Sequence, residues 1–247
     1  MFAPKHCDIM KEKVPCIYLI PVTLSGGAPE KVLPSYNLEI IRSLGYFVVE
    51  NLRSARRFLK SCDRSIVIDD LKFAELNEHT PPEEVAGLLR PAEEGYDIGV
   101  ISEAGCPAVA DPGADLVAVA QRKGYRIVPL VGPSSILMSL MGSGFNGQNF
   151  AFNGYLPVDK DARAAKLKEM ERRIRHENQT QIFIETPYRN NRLIAELAKS
   201  LPSSMALCVA SDITGDKESI ITRQLSWWAK AHYDYDKTPT IFLLYLI

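Results

Sequence analysis

The sequence predicts an α/β protein with two domains: a mostly parallel N-terminal α/β domain over residues 1–131 and a C-terminal α+β domain with a mixed sheet over residues 132–247. Up to residue 130, apolar strand patterns alternate with amphipathic helix patterns, which is typical of a parallel sheet with helical crossovers. After that, strand patterns crowd towards the end of the chain, which favours antiparallel pairs. A length of 247 residues suffices for two domains.

The first half alternates regularly. Residues 16–20 form an unbroken apolar run, typical of a strand that is buried on both faces. Gly45 and Gly124 are positioned to end helices, and the Pro81-Pro82 pair begins one. The predicted elements are strand 16–20, helix 34–44, strand 46–49, helix 52–62, strand 66–68, a helix from residue 81, strand 97–101, helix 111–124 with Asp111 as N-cap and Pro112 in the first turn, and strand 126–130.

The second half has a different order. Two helices, one of them strongly basic, separate strands that then follow one another closely. The predicted elements are helix 133–141, strand 150–152, basic helix 162–175, strand 181–184, helix 190–200, and strands 205–210, 219–222 and 240–245.

Composition excludes several classes of protein. The net charge of −1 gives no global attraction to nucleic acid or membranes, so an RNA partner needs local basic patches. Five cysteines without a C-x-x-C pair, and four scattered histidines, argue against a metal site and a disulfide framework. Residues 1–13 lack an apolar leader, and no apolar run is long enough to span a membrane. We therefore expect a cytoplasmic protein.

Two loops carry the chemistry. Residues 102–113, at the end of strand 97–101, contain two glycines and two prolines, and residues 131–135 follow the next strand. Such loops are rigid and expose backbone N–H and C=O groups, and loops at the carboxyl ends of parallel strands line ligand crevices. Together they predict a ligand site.

The motifs resemble those of a known family. Residues 102–113 resemble the S-[DE]-A-G-x-P-x-x-x-D-P-G signature of the tetrapyrrole methylase superfamily, and five further segments match its branch of small-subunit ribosomal RNA methyltransferases I, which act on ribose 2′-hydroxyls. These segments are 17–21 (IYLIP), 50–53 (ENLR), 128–134 (VPLVGPS), 152–157 (FNGYLP) and 183–189 (FIETPYR). The resemblance covers roughly residues 17–245.

The resemblance implies a methyltransferase that depends on S-adenosylmethionine, with the donor folded into a cleft between two α/β domains, and a homodimer. It implies no Rossmann nucleotide site, which agrees with the lack of a G-x-G-x-x-G motif. The implied cofactor-binding residues are Pro21, Ser102, Glu103, Ala104, Gly105, Pro107, Ala110, Asp111, Gly132, Pro133, Ser134, Ser135, Thr186, Pro187 and Thr240.

Two segments depart from the family pattern. The first loop, which in the family reads T-P-I-G-N-L-x-D, is here Val22–Pro29 and lacks the Asn and Asp. Asn51 and Leu52 replace the Asp and Thr of Glu-Asp-Thr-Arg. Both changes fall where the methyl acceptor is expected. The cofactor assignment therefore carries over better than the substrate, and Glu50 and Arg53 are the only candidate catalytic residues.

Local roles compete with functional ones. Asp111 could serve purely as a helix N-cap, Glu185 as a strand end with a helix cap, and residues 238–240 as a simple turn. Burial of Cys106 as an inert thiol is favoured over nucleophilic catalysis.

Basic residues recur on one predicted helical face at Arg53, Arg57, Lys60 and Arg64, and seven basic residues lie between 160 and 175. These patches could bind RNA phosphates or simply be solvated. The competing functions are an RNA ribose methyltransferase, a methylase of a tetrapyrrole or other small acceptor, and a non-catalytic protein that binds S-adenosylmethionine.

Overall fold

A computed structural model describes residues 14–246. The chain separates into two units: the first holds residues 14–21 and 34–131, and the second holds residues 22–33 and 132–246. The segment Val22–Leu33 thus groups with the second unit, although in sequence it interrupts the first. The expectation that residues 1–13 contain no apolar leader lies outside the described residues.

The first unit contains a five-stranded parallel sheet with the order β3-β2-β4-β1-β5. Its strands are β1 (Cys16–Leu19), β2 (Tyr46–Val49), β3 (Lys72–Glu75), β4 (Ile98–Ile101) and β5 (Arg126–Pro129). Every residue of the central strand β4 is buried, and Ile17 of β1 lies opposite Ile98 on one side and Ile127 on the other. The continuous apolar runs in the sequence reflect this burial on both faces.

The helices of the first unit are α1 (Ser35–Ser43), α2 (Leu52–Cys62), α3 (Pro82–Val85), α4 (Arg90–Glu93) and α5 (Gly113–Arg122). The predicted strand at 66–68 is wrong: a 3-10 turn occupies Ile68–Asp70, and the strand forms at Lys72–Glu75. There Phe73 pairs with Phe47 and their rings stack at 5.7 Å. Packing against β2 therefore determines where this edge strand forms, and it outweighs the preference of the β-branched residues 66–68 for a strand.

The second unit contains a mixed sheet with the order β6-β7-β10-β8-β9, in which only the β6–β7 pair is parallel. Its strands are β6 (Phe150–Tyr155), β7 (Thr180–Ile184), β8 (Ala206–Ser211), β9 (Ser219–Gln224) and β10 (Thr240–Tyr245). Its helices are α6 (Ser135–Ser143), α7 (Lys160–Glu177), α8 (Asn190–Ser200) and α9 (Leu225–Trp228).

Apolar clusters hold the second unit together. In one of them the rings of Phe183 and Phe242 stack at 5.8 Å, packed with residues of α7 and α8. In another, Leu24 packs with residues of α6 and of the central strands, which places the first loop on this unit. The predicted fold class, a parallel α/β part followed by a mixed α+β part, is confirmed.

Candidate functional site

The carboxyl ends of β2 and β4 bring the key loop beside Glu50. The N–H of Glu50 donates to the carbonyl of Ile101 at 3.0 Å, continuing the ladder one residue past β2. The Glu50 Oε2 atom then accepts the backbone N–H of Glu103 at 2.9 Å. Neighbouring parallel strands have their carboxyl ends on the same side of the sheet. Glu50 and Glu103, more than fifty residues apart in sequence, therefore meet there.

Glu50 is partly buried in this edge. Desolvation raises its pKa above the usual range of a carboxyl group, the hydrogen bond from the Glu103 N–H opposes that rise, and repulsion from Asp111 and Glu103 reinforces it. A carboxyl group with a raised pKa at a loop-lined edge is a candidate proton acceptor.

The loop after β4 is held in a conformation that most residues avoid. Gly105 has φ +70°, and two non-glycine residues, Ala108 and Ala110, have φ +64° and +62°. Each left-handed non-glycine residue costs on the order of 1–3 kcal/mol and persists only where the surroundings enforce it. Strain of this kind concentrates at ligand-binding sites.

Asp111 enforces that conformation. Its Oδ1 accepts the N–H of Ala108 at 3.0 Å and the N–H of Gly113 at 2.7 Å, so one oxygen joins both sides of the bend. The helix begins at Gly113 with Pro112 as its flanking residue, so the prediction of Asp111 as N-cap and Pro112 within the first turn is displaced by one residue. A Cβ at position 113 would lie 2.7 Å from Asp111 Oδ1, which explains the glycine.

Ser102 begins the loop with an unsatisfied hydroxyl. The residue is 8% exposed, and its Oγ has no hydrogen-bond partner within the part of the chain that the structure describes. Together with Glu50 and Asp111 it lines a cavity of about 10 Å³, roughly the space of one water molecule. Buried polar groups are rarely left unpaired, so a water or a ligand atom is needed here.

The loop also contacts the start of α2. The Ser54 hydroxyl donates to Glu103 Oε1, and Asn51 caps the helix by accepting the N–H groups of Arg53 and Ser54 at 2.9 and 3.1 Å. Asn51 replaces the Asp of the family pattern, and both residue types cap helices well. The departure at position 51 therefore preserves the local structure.

The basic stripe is shorter than its spacing predicts. Arg53, Arg57 and Lys60 are exposed on α2, but the helix ends at Cys62, and Arg64 lies beyond it with its carbonyl accepting Lys60 Nζ at 3.1 Å. The prediction of four residues on one helical face is therefore wrong for Arg64, because Asp63 adopts an extended backbone and ends the helix. Arg53 and Arg57 have no ion-pair partner within residues 14–246.

The chemistry of this edge suits a cationic ligand with polar arms. Glu50, Glu103 and Asp111 supply three carboxylates, and residues 102–113 contain no lysine or arginine. S-adenosylmethionine carries a cationic sulfonium and an ammonium group next to polar groups that need N–H and O–H partners. The strained backbone, the orphaned Ser102 hydroxyl and the acidic surroundings fit this donor. Pro107 is buried and supports the bend, while Glu103, Ala104 and Ala110 are exposed.

The remaining candidate residues of the first and second units have local roles. Pro21 is buried two residues after the end of β1. Ser134 caps α6 by accepting the N–H of Leu137 at 3.4 Å, Pro133 before it is buried, and Gly132 and Ser135 are partly buried. The hydroxyl of Thr240 donates to the Thr238 carbonyl at 2.9 Å and accepts from Asn190.

Thr186 and Pro187 follow Glu185, whose carboxylate is buried. The Glu185 Oε1 atom accepts from Arg189 Nη2 at 2.6 Å and from the Thr186 N–H at 2.7 Å, while Oε2 lies 3.7 Å from Arg163 Nη2. The side chain is 2% exposed, so this cluster of charges is an internal support of the turn. Glu185 thus has local partners at the end of β7, but the helical turn Pro187–Arg189 has no side-chain cap, so the helix cap of the alternative interpretation does not form.

Cys106 is partly buried in the loop after β4. Burial raises the pKa of the Cys106 thiol, which disfavours the reactive thiolate. Among residues 14–246 no group of three or more His, Cys, Asp or Glu side chains is arranged to hold a metal ion. Within the same range no helix is long and apolar enough to cross a membrane.

Sequence reasoning missed several residues that matter here. Ser54 and its contact with Glu103 had no signal, because the two residues lie 49 positions apart. Arg192 and Lys199 did have a sequence signal, since their spacing of seven residues places both on one face of α8.

No family model matches the chain. The ribosomal RNA small subunit methyltransferase I of Vibrio cholerae serotype O1 is 27% identical over 222 residues, 87% of this chain and 72% of that protein. The protein of the same name from Micromonospora olivasterospora is 31% identical over 210 residues, 85% of this chain and 63% of that protein. Across such relatives, the alignments span from 51% to 79% of the relative's length.

Solved structures show the fold. The methyltransferase CobJ has a TM-score of 0.62 at 16% identity, covering 94% of this chain and 93% of that one. Diphthine synthase has a TM-score of 0.64 at 16% identity over 94% and 89% of the two chains. Uroporphyrin-III C-methyl transferase from Thermus thermophilus, complexed with S-adenyl homocysteine, has a TM-score of 0.55 at 17% identity over 94% and 97%. The relatives confirm the resemblance to small-subunit ribosomal RNA methyltransferases I that the motifs indicate, and the solved structures confirm the fold.

Proposed function

We propose that this chain, which is related to the ribosomal RNA small subunit methyltransferase I proteins and has the fold of the tetrapyrrole methylases, is a methyltransferase that uses S-adenosylmethionine to modify small-subunit ribosomal RNA. The observation that carries the proposal is the loop of residues 102–113. Its two left-handed alanines and its orphaned Ser102 hydroxyl form a strained, acidic edge beside Glu50. That edge suits the donor.

In this proposal the residues at the edge have separate roles in binding the donor and in accepting a proton. The backbone of the loop and the Ser102 hydroxyl bind the polar arms of the donor, and Asp111 holds the loop in shape through Ala108 and Gly113. When bound, S-adenosylmethionine supplies an electrophilic methyl group on a cationic sulfur. Glu50, with its raised pKa, is the candidate acceptor for the proton that the attacking hydroxyl loses. Arg53 lies three residues further on, at the start of α2, where it can orient a phosphate.

The acceptor in this proposal is a ribose 2′-hydroxyl of the RNA. Arg53 and Arg57, which are exposed and have no ion-pair partner in the described part of the chain, support a phosphate-bearing substrate. The candidate cofactor residues Gly132, Pro133, Ser134, Ser135, Thr186, Pro187 and Thr240 of the second unit belong to the proposal as predictions. So do a domain boundary after residue 131, a homodimer and a cytoplasmic location.

The test has two arms. Purified protein is titrated with S-adenosylmethionine in a calorimeter, and ribosomal RNA from cells with and without the gene is mapped by mass spectrometry. We expect saturable binding and the loss of one ribose methyl group from the small-subunit RNA. Absence of heat would overturn donor binding. If the RNA methylation is unchanged and the protein methylates a tetrapyrrole, the acceptor is a small molecule. If the protein binds the donor but methylates neither acceptor, it is a non-catalytic binding protein.

A homodimer is tested separately by light scattering on the purified chain. A mass of twice 27.5 kDa is expected. A monomeric mass at micromolar concentration would contradict it.

A further inference from the structure

The second unit contains a cavity that the proposed donor site does not use. Its volume is about 530 Å³, which falls within the range of about 300–1,000 Å³ typical of ligand sites. Residues of α7 and α8 and of the turn after β7 line it. All of them belong to one unit of the chain.

The lining is strongly cationic. Five basic side chains face two carboxylates, and the basic ones are Lys160, Arg163, Arg189, Arg192 and Lys199. Both carboxylates are already neutralised from within, because Glu185 bonds Arg189 and Glu196 bonds Arg163 at 3.0 Å. Arg163 is 8% exposed, and its Nε also donates to the Pro157 carbonyl at 2.7 Å, so it is a fixed part of the wall.

Three cations are left over. Lys160, Arg192 and Lys199 are exposed and have no hydrogen-bond or ion-pair partner within residues 14–246. Other basic residues of α7 differ: Arg173 pairs with Glu169 at 2.8 Å and Arg175 pairs with Glu171 at 2.8 Å on the same helix. At the cavity itself Arg163 is paired with Glu196 and Glu185, whereas Lys160 of α7 and Arg192 and Lys199 of α8 keep their charges open. An open cationic wall is what an anionic ligand requires.

The spacing favours a chain of phosphates over a single anion. Arg192 and Lys199 lie seven residues apart on α8, about 10 Å along the helix axis, which is too far for one phosphate to bridge. Tyr188, next to Arg189, is 76% exposed and offers an aromatic face. Cations that track a backbone, combined with an exposed aromatic ring, are the usual means of holding single-stranded RNA.

We propose that this cavity holds backbone phosphates of the RNA substrate, with Lys160, Arg192 and Lys199 as the contacting residues and Glu185 and Arg163 as their internal support. The inference rests on the proposed function for the identity of the RNA. It adds a binding surface on the second unit, distinct in sequence from the α2 stripe of the first.

The test compares the double variant Lys160→Glu/Arg192→Glu with Lys168→Glu/Lys230→Glu. Lys160 and Arg192 lie in the first turns of α7 and α8, where acidic residues are favoured, so folding should be preserved. The control makes the same charge change on the same unit at exposed lysines that do not line the cavity. Binding of purified small-subunit ribosomal RNA is measured by filter retention over a salt series, and binding of S-adenosylmethionine by calorimetry.

For Lys160→Glu/Arg192→Glu we expect about tenfold weaker RNA binding at ~0.1 M salt and a slope of log K against log salt that is shallower by about 1.4, for two lost contacts to a single strand. Donor affinity should be unchanged. RNA binding equal to that of the control variant would overturn the assignment of the cavity as an RNA site and leave the proposed function intact. Wild-type protein that binds the donor but no RNA would overturn the proposed substrate and the cavity with it.

A third titration uses inorganic phosphate alone. No saturation is expected at ~1 mM, because one phosphate meets too few of the separated cations. Saturable phosphate binding that disappears in Lys160→Glu/Arg192→Glu, while RNA binding persists, would assign the cavity to a free anion and overturn the proposal.

Discussion

Glu50 and Glu103 are joined by a hydrogen bond from the backbone N–H of Glu103 to the carboxylate of Glu50 at 2.9 Å. The bond ties the end of β2 to the loop after β4 and places two acidic side chains at one edge of the sheet. Repulsion between them contributes to the raised pKa of Glu50. A bound cationic methyl donor would relieve the repulsion between the two carboxylates. Binding of the donor would therefore stabilise the folded protein.

Replacement of Glu50 by Gln should change how stability depends on pH. Because the pKa of Glu50 is raised on folding, the folded protein holds this proton more tightly than the unfolded chain, and ionisation destabilises it. The free energy of unfolding of Glu50→Gln relative to wild type should therefore increase as pH rises from ~4 to ~7. Urea denaturation across this range measures it. A difference that does not vary with pH would contradict the raised pKa.

Ser102→Ala should separate stability from binding. The substitution removes a buried hydroxyl without a partner in the described chain, so the free energy of unfolding should stay within about 0.5 kcal/mol of wild type or rise. Affinity for S-adenosylmethionine should fall about tenfold, the value of one hydrogen bond. The control Ser143→Ala loses bonds to Leu140 and Phe145 and should instead lose about 1–2 kcal/mol of stability. Full donor affinity in Ser102→Ala would remove Ser102 from the site.

Asp111→Ala should release the strained loop. The loss of one acceptor for both Ala108 and Gly113 should cost about 1–2 kcal/mol and weaken donor binding by at least about tenfold. Asp111→Asn keeps the accepting oxygen and should retain most of the stability. Denaturation and calorimetry on both variants check this. If Asn and Ala behave alike in stability, the two backbone hydrogen bonds do not hold the loop.

Gly105→Val should also weaken donor binding. The residue has φ +70°, and a β-branched side chain is strained there and covers the neighbouring backbone. Gly87→Val is the matched control, because a Cβ at that helical glycine meets open space. Calorimetric titration of both variants measures the effect, and equal affinities would argue against backbone approach at Gly105.

Charge reversal of the α2 stripe should weaken RNA binding. Arg53→Glu/Arg57→Glu is expected to lower affinity and to flatten the salt slope by about 1.4, for two contacts to a single strand. Lys72→Glu is the control. Lys72 is exposed and is the first residue of β3, so it lies at the amino end of the strands, whereas Glu50 lies at their carboxyl end. A salt slope equal to that of the control would favour a small, weakly charged acceptor.

Much of the fold could be predicted because its signals are local. Helices α2 and α8 and strand β10 have the predicted bounds, since apolar periodicity marks all three and Asn51 caps the start of α2. The third strand forms at Lys72–Glu75 and not at the predicted 66–68, because stacking of Phe73 on Phe47, a contact across 26 positions, outweighs the β-branched run before it. The loop at 102–113 was recognisable from its glycines and prolines, whereas its strain at two alanines was not, because alanine carries no sign of a left-handed conformation.

Local chemistry along the chain therefore accounts for the α/β architecture, the order of its elements and the position of the key loop, since turn residues and hydrophobic period act over a few residues. Long-range packing accounts for the rest. The meeting of Glu50 with Glu103, and the grouping of Lys160, Arg192 and Lys199 around one cavity, depend on which strands and helices lie side by side. Those arrangements follow from burying apolar faces that are distant in sequence, and no window of neighbouring residues contains them.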